Sequence, residues 1–450
     1  MTKKYFGTDG IRGIANTYPM TPDIAMKIGI ATGIIFNQNR PSNHPSRVVI
    51  GKDTRLSGYM LENSMVAGFT AAGMDVLLLG PIPTPAVSML CRSMRADIGV
   101  MISASHNPYD YNGIKIFDSK GLKISDETEK KIEELIDNPE LFSMLNISSI
   151  GRAKRIDGDI YRYIEFAKYT LSKNVTLDGL RIVIDTANGA AYKSAPRALW
   201  ELGAEVISIN DKPNGTNINE ECGSTKTTSL VNKLKETRAD IGIALDGDGD
   251  RVIIVDEKAN IVDGDKILAI LAKNWQKKAI LANNNVVGTV MSNLGLERYL
   301  SKLNINLTRT KVGDRHVATK MQELGCNLGG EQSGHIILSD YATTGDGLIT
   351  SLQVLSCAVQ EQCPISELYK GFEETPQILK NVPLKNTNTL QNEDILNTIK
   401  LSEEKLGKTG RILVRLSGTE PLVRVMAEGD NLDTIKQIVD DICDKISKYN

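Results

Sequence analysis

Apolar positions along this chain gather into short unbroken runs, with stretches of helical spacing between them. In the first third, runs at 48–50, 75–79 and 98–102 have the length and branched content of buried strands, and Gly80-Pro81 closes the second. Helical spacing fills the gaps. It predicts a helix over 21–36, with Thr21 as N-cap ahead of Pro22, another within 58–73, and a third opening at Pro83-Thr84-Pro85. A charged helix over 125–137 alternates Lys with Glu and reads as a solvated face.

The same strand–helix–strand order returns twice. After a helix over 159–172 come a strand over 180–185, a helix over 194–202 and a strand over 205–209, then apolar strands at 239–245 and 252–255. A helix over 263–273 leads into a strand over 286–291, a helix over 294–303 and a strand over 305–310. Three segments with one plan predict three related mixed α/β domains, at 1–150, 151–256 and 257–373. The tail differs. Strands over 377–383, 411–415 and 422–427, followed by a long amphipathic helix over 432–447, predict a smaller α+β domain at 374–450. The Asn- and Thr-rich loop 385–391 carries no chemistry.

Composition narrows the class. With 450 residues the chain has room for roughly three domains of ~150. A net charge of −2 gives no basic field for nucleic acid or acidic membrane, and 5% aromatics offers few bases a stacking platform. No apolar run approaches the ~20 residues of a membrane span, and the N-terminus carries no apolar signal core. The six cysteines are scattered without a C-x-x-C pair, which excludes a zinc knuckle or disulfide framework and fits buried thiols in a reducing cytoplasm.

Chemistry gathers in a few loops. The 98–102 strand runs into Ser103-Ala104-Ser105-His106-Asn107-Pro108, and Pro108 rules out a helix across the junction. A serine at the end of a buried strand is a nucleophile, a phosphoryl carrier, or a turn residue bonding its own backbone. Asp246-Gly247-Asp248-Gly249-Asp250-Arg251 places three carboxylates at alternate positions, with glycines that let the backbone turn tightly. Its flanks are strands and its sixth position is Arg251 instead of Gly, so it is not a helix–loop–helix calcium site. Unneutralised, the three charges would repel, and a divalent cation such as Mg²⁺ accounts for them better than an acidic hairpin turn. Gly330-Glu331-Gln332-Ser333-Gly334-His335 suits hydrogen bonding to a sugar ring. In Arg415-Leu416-Ser417-Gly418-Thr419-Glu420-Pro421-Leu422-Val423-Arg424, two guanidiniums bracket hydroxyls and open backbone, which is either a phosphate-binding set or a hairpin with exposed arginines. No Walker loop occurs. Of the four histidines, His106 and His335 lie in these loops, His44 lies in an inert Pro/Ser stretch, and His316, in Val312-Gly313-Asp314-Arg315-His316, is open.

Together these loops resemble those of the α-D-phosphohexomutase family, in its order and spacing from the first residues to the last domain. The resemblance implies four domains in a heart-like arrangement around a central active site. Phe6-Gly7-Thr8-Asp9-Gly10-Ile11-Arg12-Gly13, the Ser-Ala-Ser form of the serine loop and Gln332 beside Glu331 resemble the members that act on glucosamine phosphates. Members acting on glucose or mannose phosphates are the alternative, and a catalytically silent phosphosugar-binding protein is the rival from another class.

The resemblance further implies interconversion of glucosamine 6-phosphate and glucosamine 1-phosphate, which supplies amino-sugar nucleotide precursors for cell-wall synthesis. Ser105 would carry the phosphoryl group and glucosamine 1,6-bisphosphate would be the intermediate. One Mg²⁺ would sit on Asp246, Asp248, Asp250 and the Ser105 phosphate. Arg12, Lys115 and Arg251 would surround the transferring group, with His106, His335 and Lys115 as candidate acid/bases. Glu331 and Ser333 would grip the sugar, and Arg415, Ser417, Gly418, Thr419 and Arg424 the non-reacting phosphate. The partner expected is a small phosphosugar, with no nucleic acid and no membrane. The oligomeric state is open, a homodimer being one option.

Overall fold

The computed structural model describes residues 4–7, 9–37, 46–146, 149–384, 386–407, 409–416 and 422–449. His44, Lys385 and the loop members Ser417, Gly418 and Thr419 lie outside them.

Four sheets follow one another along the chain. The first has six strands, in the order Ile11–Ile14, Tyr111–Asp118, Ile98–Ile102, Arg47–Lys52, Asp75–Pro81 and Ala153–Arg155. It takes in residues 153–155, past the position 150 at which the sequence suggested a boundary, because that strand pairs in parallel with Val76–Leu78. The second sheet runs Ile261–Val262, Val252–Asp256, Ile241–Leu245, Arg181–Asp185, Glu205–Ile209, and the third Asn306–Thr310, Asn285–Thr289, Leu328–Gly330, Ile336–Leu338. The fourth is antiparallel throughout, with Leu422–Gly429 between Gln377–Pro383 and Gly410–Leu416.

The first three sheets share a plan. In each, parallel strands end on one that turns back as an antiparallel hairpin: Ile98–Ile102 into Tyr111–Asp118, Ile241–Leu245 into Val252–Asp256, and Leu328–Gly330 into Ile336–Leu338. The turns of these hairpins hold the serine loop, the acidic loop and the glycine-flanked stretch Glu331-Gln332-Ser333-Gly334. Ile98–Ile102 and Ile241–Leu245 are buried along their whole length, which is why they read as unbroken apolar runs.

One apolar core runs from Val49 through Leu368 and joins the first three domains, whereas Val382, Ile395, Val423, Val425 and the Ile435, Ile438, Val439, Ile442 and Ile446 face form a separate core in the fourth. That face belongs to the helix Leu432–Lys448, capped by Asn431, whose side chain accepts from Thr434 N at 2.8 Å. The fourth domain meets the third through polar contacts: Arg411 donates to the carbonyls of Val290 (3.0 Å) and Ser292 (2.7 Å), and Asn293 donates to Glu428 (3.2 Å).

Two local expectations are corrected. Thr21 precedes the helix Pro22–Asn37, but its hydroxyl donates to the Asp23 carboxylate at 2.5 Å instead of capping backbone N–H groups. The helix Asp126–Ile136 is not a wholly solvated face. Glu129 and Glu133 are buried, and Glu133 Oε1 accepts from the backbone of Lys4 (3.0 Å), Tyr5 (2.6 Å) and Phe6 (2.8 Å). Charge alternation could not reveal that these two glutamates face a partner segment more than 120 residues away.

Candidate active site

The serine loop is clamped from behind. Ser103 Oγ donates to Asp53 Oδ2 (2.6 Å) and accepts from Ser105 N (2.9 Å). Asp53 pairs with the wholly buried Arg55, whose guanidinium also donates to the carbonyls of Ser105 (3.2 Å) and Asn107 (2.6 Å). Asn219, from the second domain, donates to the same two carbonyls at 2.9 and 3.0 Å. This set holds Ser105 at φ +54°, a left-handed conformation that costs a serine roughly 1–2 kcal/mol. Ser105 Oγ then donates to Asp246 Oδ2 at 2.6 Å and lies 3.4 Å from His106 Nδ1.

Asp246, Asp248 and Asp250 are buried, and one oxygen of each falls within 4.8 Å of the others. Thr84 Oγ1 donates to Asp248 Oδ2 at 2.6 Å, while Lys115 Nζ reaches Asp248 Oδ2 at 2.8 Å and Asp250 Oδ2 at 3.1 Å. The second oxygens, Asp248 Oδ1 and Asp250 Oδ1, are buried and accept no hydrogen bond from the described residues. Burial, then the charges of Asp250 and Asp248, push the Asp246 carboxyl well above the usual carboxylate range. Orphaned carboxylate oxygens on a frustrated acidic cluster fit a hard divalent cation.

In front of this cluster lies a cleft of about 350 Å³ lined by Asp9, Arg12, Asp250, Arg251, Asp314, Glu331 and His335, among others. Lys115 is buried beside it. Burial opposes its charge, but Asp248, Asp250 and Asp9 outweigh burial and raise its pKa well above the ordinary value. Asp9 is likewise held well below its usual range, since Lys115, Lys123 and Arg12 together outweigh burial. His335 Nε2 lies 3.1 Å from Gly345 N and 3.6 Å from Asp314, and its Nδ1 lies 3.5 Å from Asp250. Burial lowers its pKa, but Asp250 and Asp314 reverse the sign and raise it. His106 goes the other way: burial first, then Arg251 and Arg12, push it down to about 4.

Ser105, Asp246, Asp248, Asp250, Lys115, Arg12, Arg251, His106, Glu331 and His335 are therefore in or directly behind one cleft. Glu331 Oε1 accepts from Gly313 N at 2.9 Å, and Gln332 donates to Asp263 at 3.3 Å. Ser333 is exposed at the turn. Arg415 and Arg424 do not line the cleft. They stand directly opposite one another on neighbouring antiparallel strands, and the Nε atom of each is buried without a partner among the described residues. Burial, then Arg424, lower the Arg415 pKa. Like charges facing across a ladder are unfavourable unless an anion sits between them.

Sequence reading missed Asp9, Asp53, Arg55, Lys123, Asn219 and Asp314. Asp53-Thr54-Arg55 had a signal, two opposite charges directly after a buried strand. In Val312-Gly313-Asp314-Arg315-His316 the histidine is exposed, and the charged residue that lines the cleft is Asp314.

The chain belongs to the phosphoglucomutase/phosphomannomutase family: its alpha/beta/alpha domains I, II and III match residues 3–142, 161–260 and 263–375, and its C-terminal domain matches 379–445. It is accordingly an isomerase of the mutase type.

Within that family it is similar to phosphoglucosamine mutases. That of Bartonella tribocorum is 60% identical over 450 residues, covering 100% of this chain and 99% of the relative. Those of Bartonella bacilliformis (61%, covering 100% of both chains) and Brucella anthropi (61%, covering 99% and 98%) are equally similar. Among solved structures, a phosphoglucomutase/phosphomannomutase family protein from Burkholderia thailandensis superposes with a TM-score of 0.82 at 25% identity, covering 100% of this chain and 98% of that one. The N-acetylphosphoglucosamine mutase of Aspergillus fumigatus shares the fold, with a TM-score of 0.69 at 17% identity over 100% and 96% of the two chains.

Proposed function

We propose that the chain interconverts glucosamine 6-phosphate and glucosamine 1-phosphate through a phosphoserine at Ser105. The observation that carries this reading is the 2.6 Å hydrogen bond from Ser105 Oγ to Asp246, at the edge of a buried acidic triad. A hydroxyl beside three carboxylates is not activated for hydrolysis. It is placed where a phosphoryl group on it would share a cation with them.

The phosphoryl group passes from Ser105 Oγ to the free hydroxyl of the bound sugar phosphate. The Oγ–P bond breaks, the P–O bond to the sugar forms, and the sugar hydroxyl gives up its proton. Glucosamine 1,6-bisphosphate results, turns over in the cleft, and returns its other phosphoryl group to Ser105. Asp246, Asp248 and Asp250 would hold Mg²⁺, which when bound offsets phosphoryl charge. Lys115 stays charged in its carboxylate cage and, with Arg12 and Arg251, gives the transferring group fixed positive charge. The proton that leaves the sugar hydroxyl and the proton that Ser105 Oγ regains both need a carrier, and His106, beside Ser105 Oγ, and His335, in the cleft wall, are the imidazoles placed to serve.

Glu331, with Ser333 at its edge, would take sugar hydroxyls. Arg415 and Arg424, with Ser417, Gly418 and Thr419, would take the distal phosphate. A fourth domain with its own core and polar contacts to the rest supports an opening motion that admits reorientation. In this reading the chain divides near residues 155, 256 and 373 into serine, metal, sugar and phosphate units. The net charge of −2 and six free cysteines support a cytoplasmic enzyme of small phosphosugars.

The test compares kcat/KM on glucosamine, glucose and mannose 6-phosphates, each with its 1,6-bisphosphate. A preference for glucosamine 6-phosphate is expected. A preference of about 10-fold or more for glucose or mannose phosphate overturns the substrate assignment.

A further inference from the structure

Charged groups from three domains close into a ring around the floor of the cleft. Asp250 meets Lys115 at 3.1 Å, and Lys115 meets Asp9 at 3.4 Å. Lys123 bonds both Asp9 and Asp314. Asp314 lies 3.6 Å from His335 Nε2, and His335 Nδ1 returns to Asp250 at 3.5 Å. Asp9, Lys115 and Lys123 come from the first domain, Asp250 from the second, and Asp314 and His335 from the third.

Lys123 differs from the other members. It does not line the cleft, and its side chain is only 12% exposed. Its backbone is tied to the first sheet by a bridge to Phe117. Asp314 opens the helix Asp314–Leu324, and its Oδ1 accepts from Arg315 N at 2.7 Å. The ammonium thus links a rigid edge of one domain to the first turn of a helix in another. It is not the sole tie between those domains. Arg315 pairs with Asp126 and Glu129, and Thr343 Oγ1 donates to the Gly121 carbonyl at 2.7 Å. Loss of Lys123 would therefore leave the domains docked, but with no cation between Asp9 and Asp314, and Asp9 left to Lys115 and Arg12 alone. Their repulsion would pull on Lys115 through Asp9 and on His335 through Asp314.

We propose that Lys123 is a positioning residue for phosphoryl transfer: by bridging Asp9 and Asp314 it holds Lys115 and His335 on two sides of Asp250. The proposal rests on the functional reading above. Groups misplaced by about 1 Å can cost up to 100-fold in rate, so the effect falls on the chemical step.

The experiment measures kcat and KM for Lys123→Met, Lys123→Arg, Asp314→Asn and the double variant Lys123→Met/Asp314→Asn. Turnover is expressed per mole of enzyme phosphorylated on Ser105, so that lost folding or lost phosphorylation divides out. Lys123→Met is expected to lower kcat about 10-fold or more with KM within about threefold, and Lys123→Arg to recover at least about a third of the wild-type kcat. The double variant is expected to be no slower than its slower parent within about threefold, because both changes break one link. A kcat for Lys123→Met within about threefold of wild type, a loss confined to KM, no recovery with arginine, or multiplying effects in the double variant would each overturn the proposal. If Lys123→Met does not fold, Lys123→Arg against Asp314→Asn carries the same comparison. Each ratio is taken on whichever hexose phosphate the wild-type enzyme turns over best, so a wrong substrate assignment and a wrong role for Lys123 give different results.

Discussion

Gly247 lies flat against the serine loop: a Cβ there would stand 2.6 Å from the Ser105 carbonyl oxygen and 2.7 Å from Asn219 Nδ2. Both atoms belong to the clamp that sets the Ser105 backbone, so neither can retreat freely. Gly247→Ala should separate the serine and acidic loops. Overpacking of this kind costs about 1–3 kcal/mol, and kcat should fall about 10-fold or more because the phosphoryl carrier moves off the triad. Thermal unfolding and steady-state kinetics on the same preparation check both parts. Unchanged kcat would mean the contact has slack.

The acidic triad predicts a metal requirement with a binding signature. Mg²⁺ removal by chelation should abolish turnover reversibly. Asp246→Asn should weaken Mg²⁺ or Mn²⁺ binding about 10-fold or more, because one of three anionic ligands becomes neutral. Calorimetric titration of the metal into both proteins reads this without an activity assay. Equal affinities would contradict the assignment.

Arg415 and Arg424 stand opposite one another on adjacent strands, and neither Nε has a hydrogen-bond partner among the described residues. Arg424→Ala should raise KM for the monophosphate about 10-fold or more, the equivalent of losing a charge-assisted bond of about 1.5–3 kcal/mol, with a smaller effect on kcat. It should also raise stability slightly, since a facing like charge is gone. A fall in kcat with KM unchanged would place these arginines elsewhere in the cycle.

Asp265 gives a pH-dependent term in stability. Burial, then the Asp263 charge, push its carboxyl up to about 8, and its Oδ2 accepts from Asn293 N at 2.8 Å. The unfolded carboxyl titrates near 4. Between these values the folded chain holds the extra proton, so the contribution is complete below about pH 4 and is lost as pH rises through about 8, at no more than about 1.4 kcal/mol per pH unit. Thermal unfolding from pH 5 to 8 should show a downward slope that Asp265→Asn makes shallower. Identical slopes would show that Asp265 does not titrate there.

Much of this molecule was legible from pattern alone, for a physical reason. Strands such as Ile98–Ile102 and Ile241–Leu245 are buried on both faces, so they stand out as apolar runs, and the loops that follow them carry the chemistry. What pattern could not show was pairing at distance. Lys123 meets Asp314 across 191 positions and Glu133 meets the Lys4 backbone across 129, and each partner looks like an ordinary surface charge in its own stretch. The hairpin Leu328–Gly330 to Ile336–Leu338 was hidden because its strands are three residues long, below the length at which period 2 is visible. In Asp314-Arg315-His316 the histidine carries the stronger residue-type signal, but burial, not residue type, decides which of the two enters the cleft.

The central claim is that Ser105 is a phosphoryl carrier that empties and refills in each turnover. The most direct measurement is peptide mass spectrometry of the enzyme before and after incubation with hexosamine 1,6-bisphosphate labelled in its phosphates, beside the Ser105→Ala variant. The account predicts a phosphoryl group on Ser105 that takes up the label within the time of turnover, and an alanine variant that binds substrate yet does not turn it over. Turnover at the wild-type rate with Ser105 unlabelled, or undiminished turnover by Ser105→Ala, would contradict it.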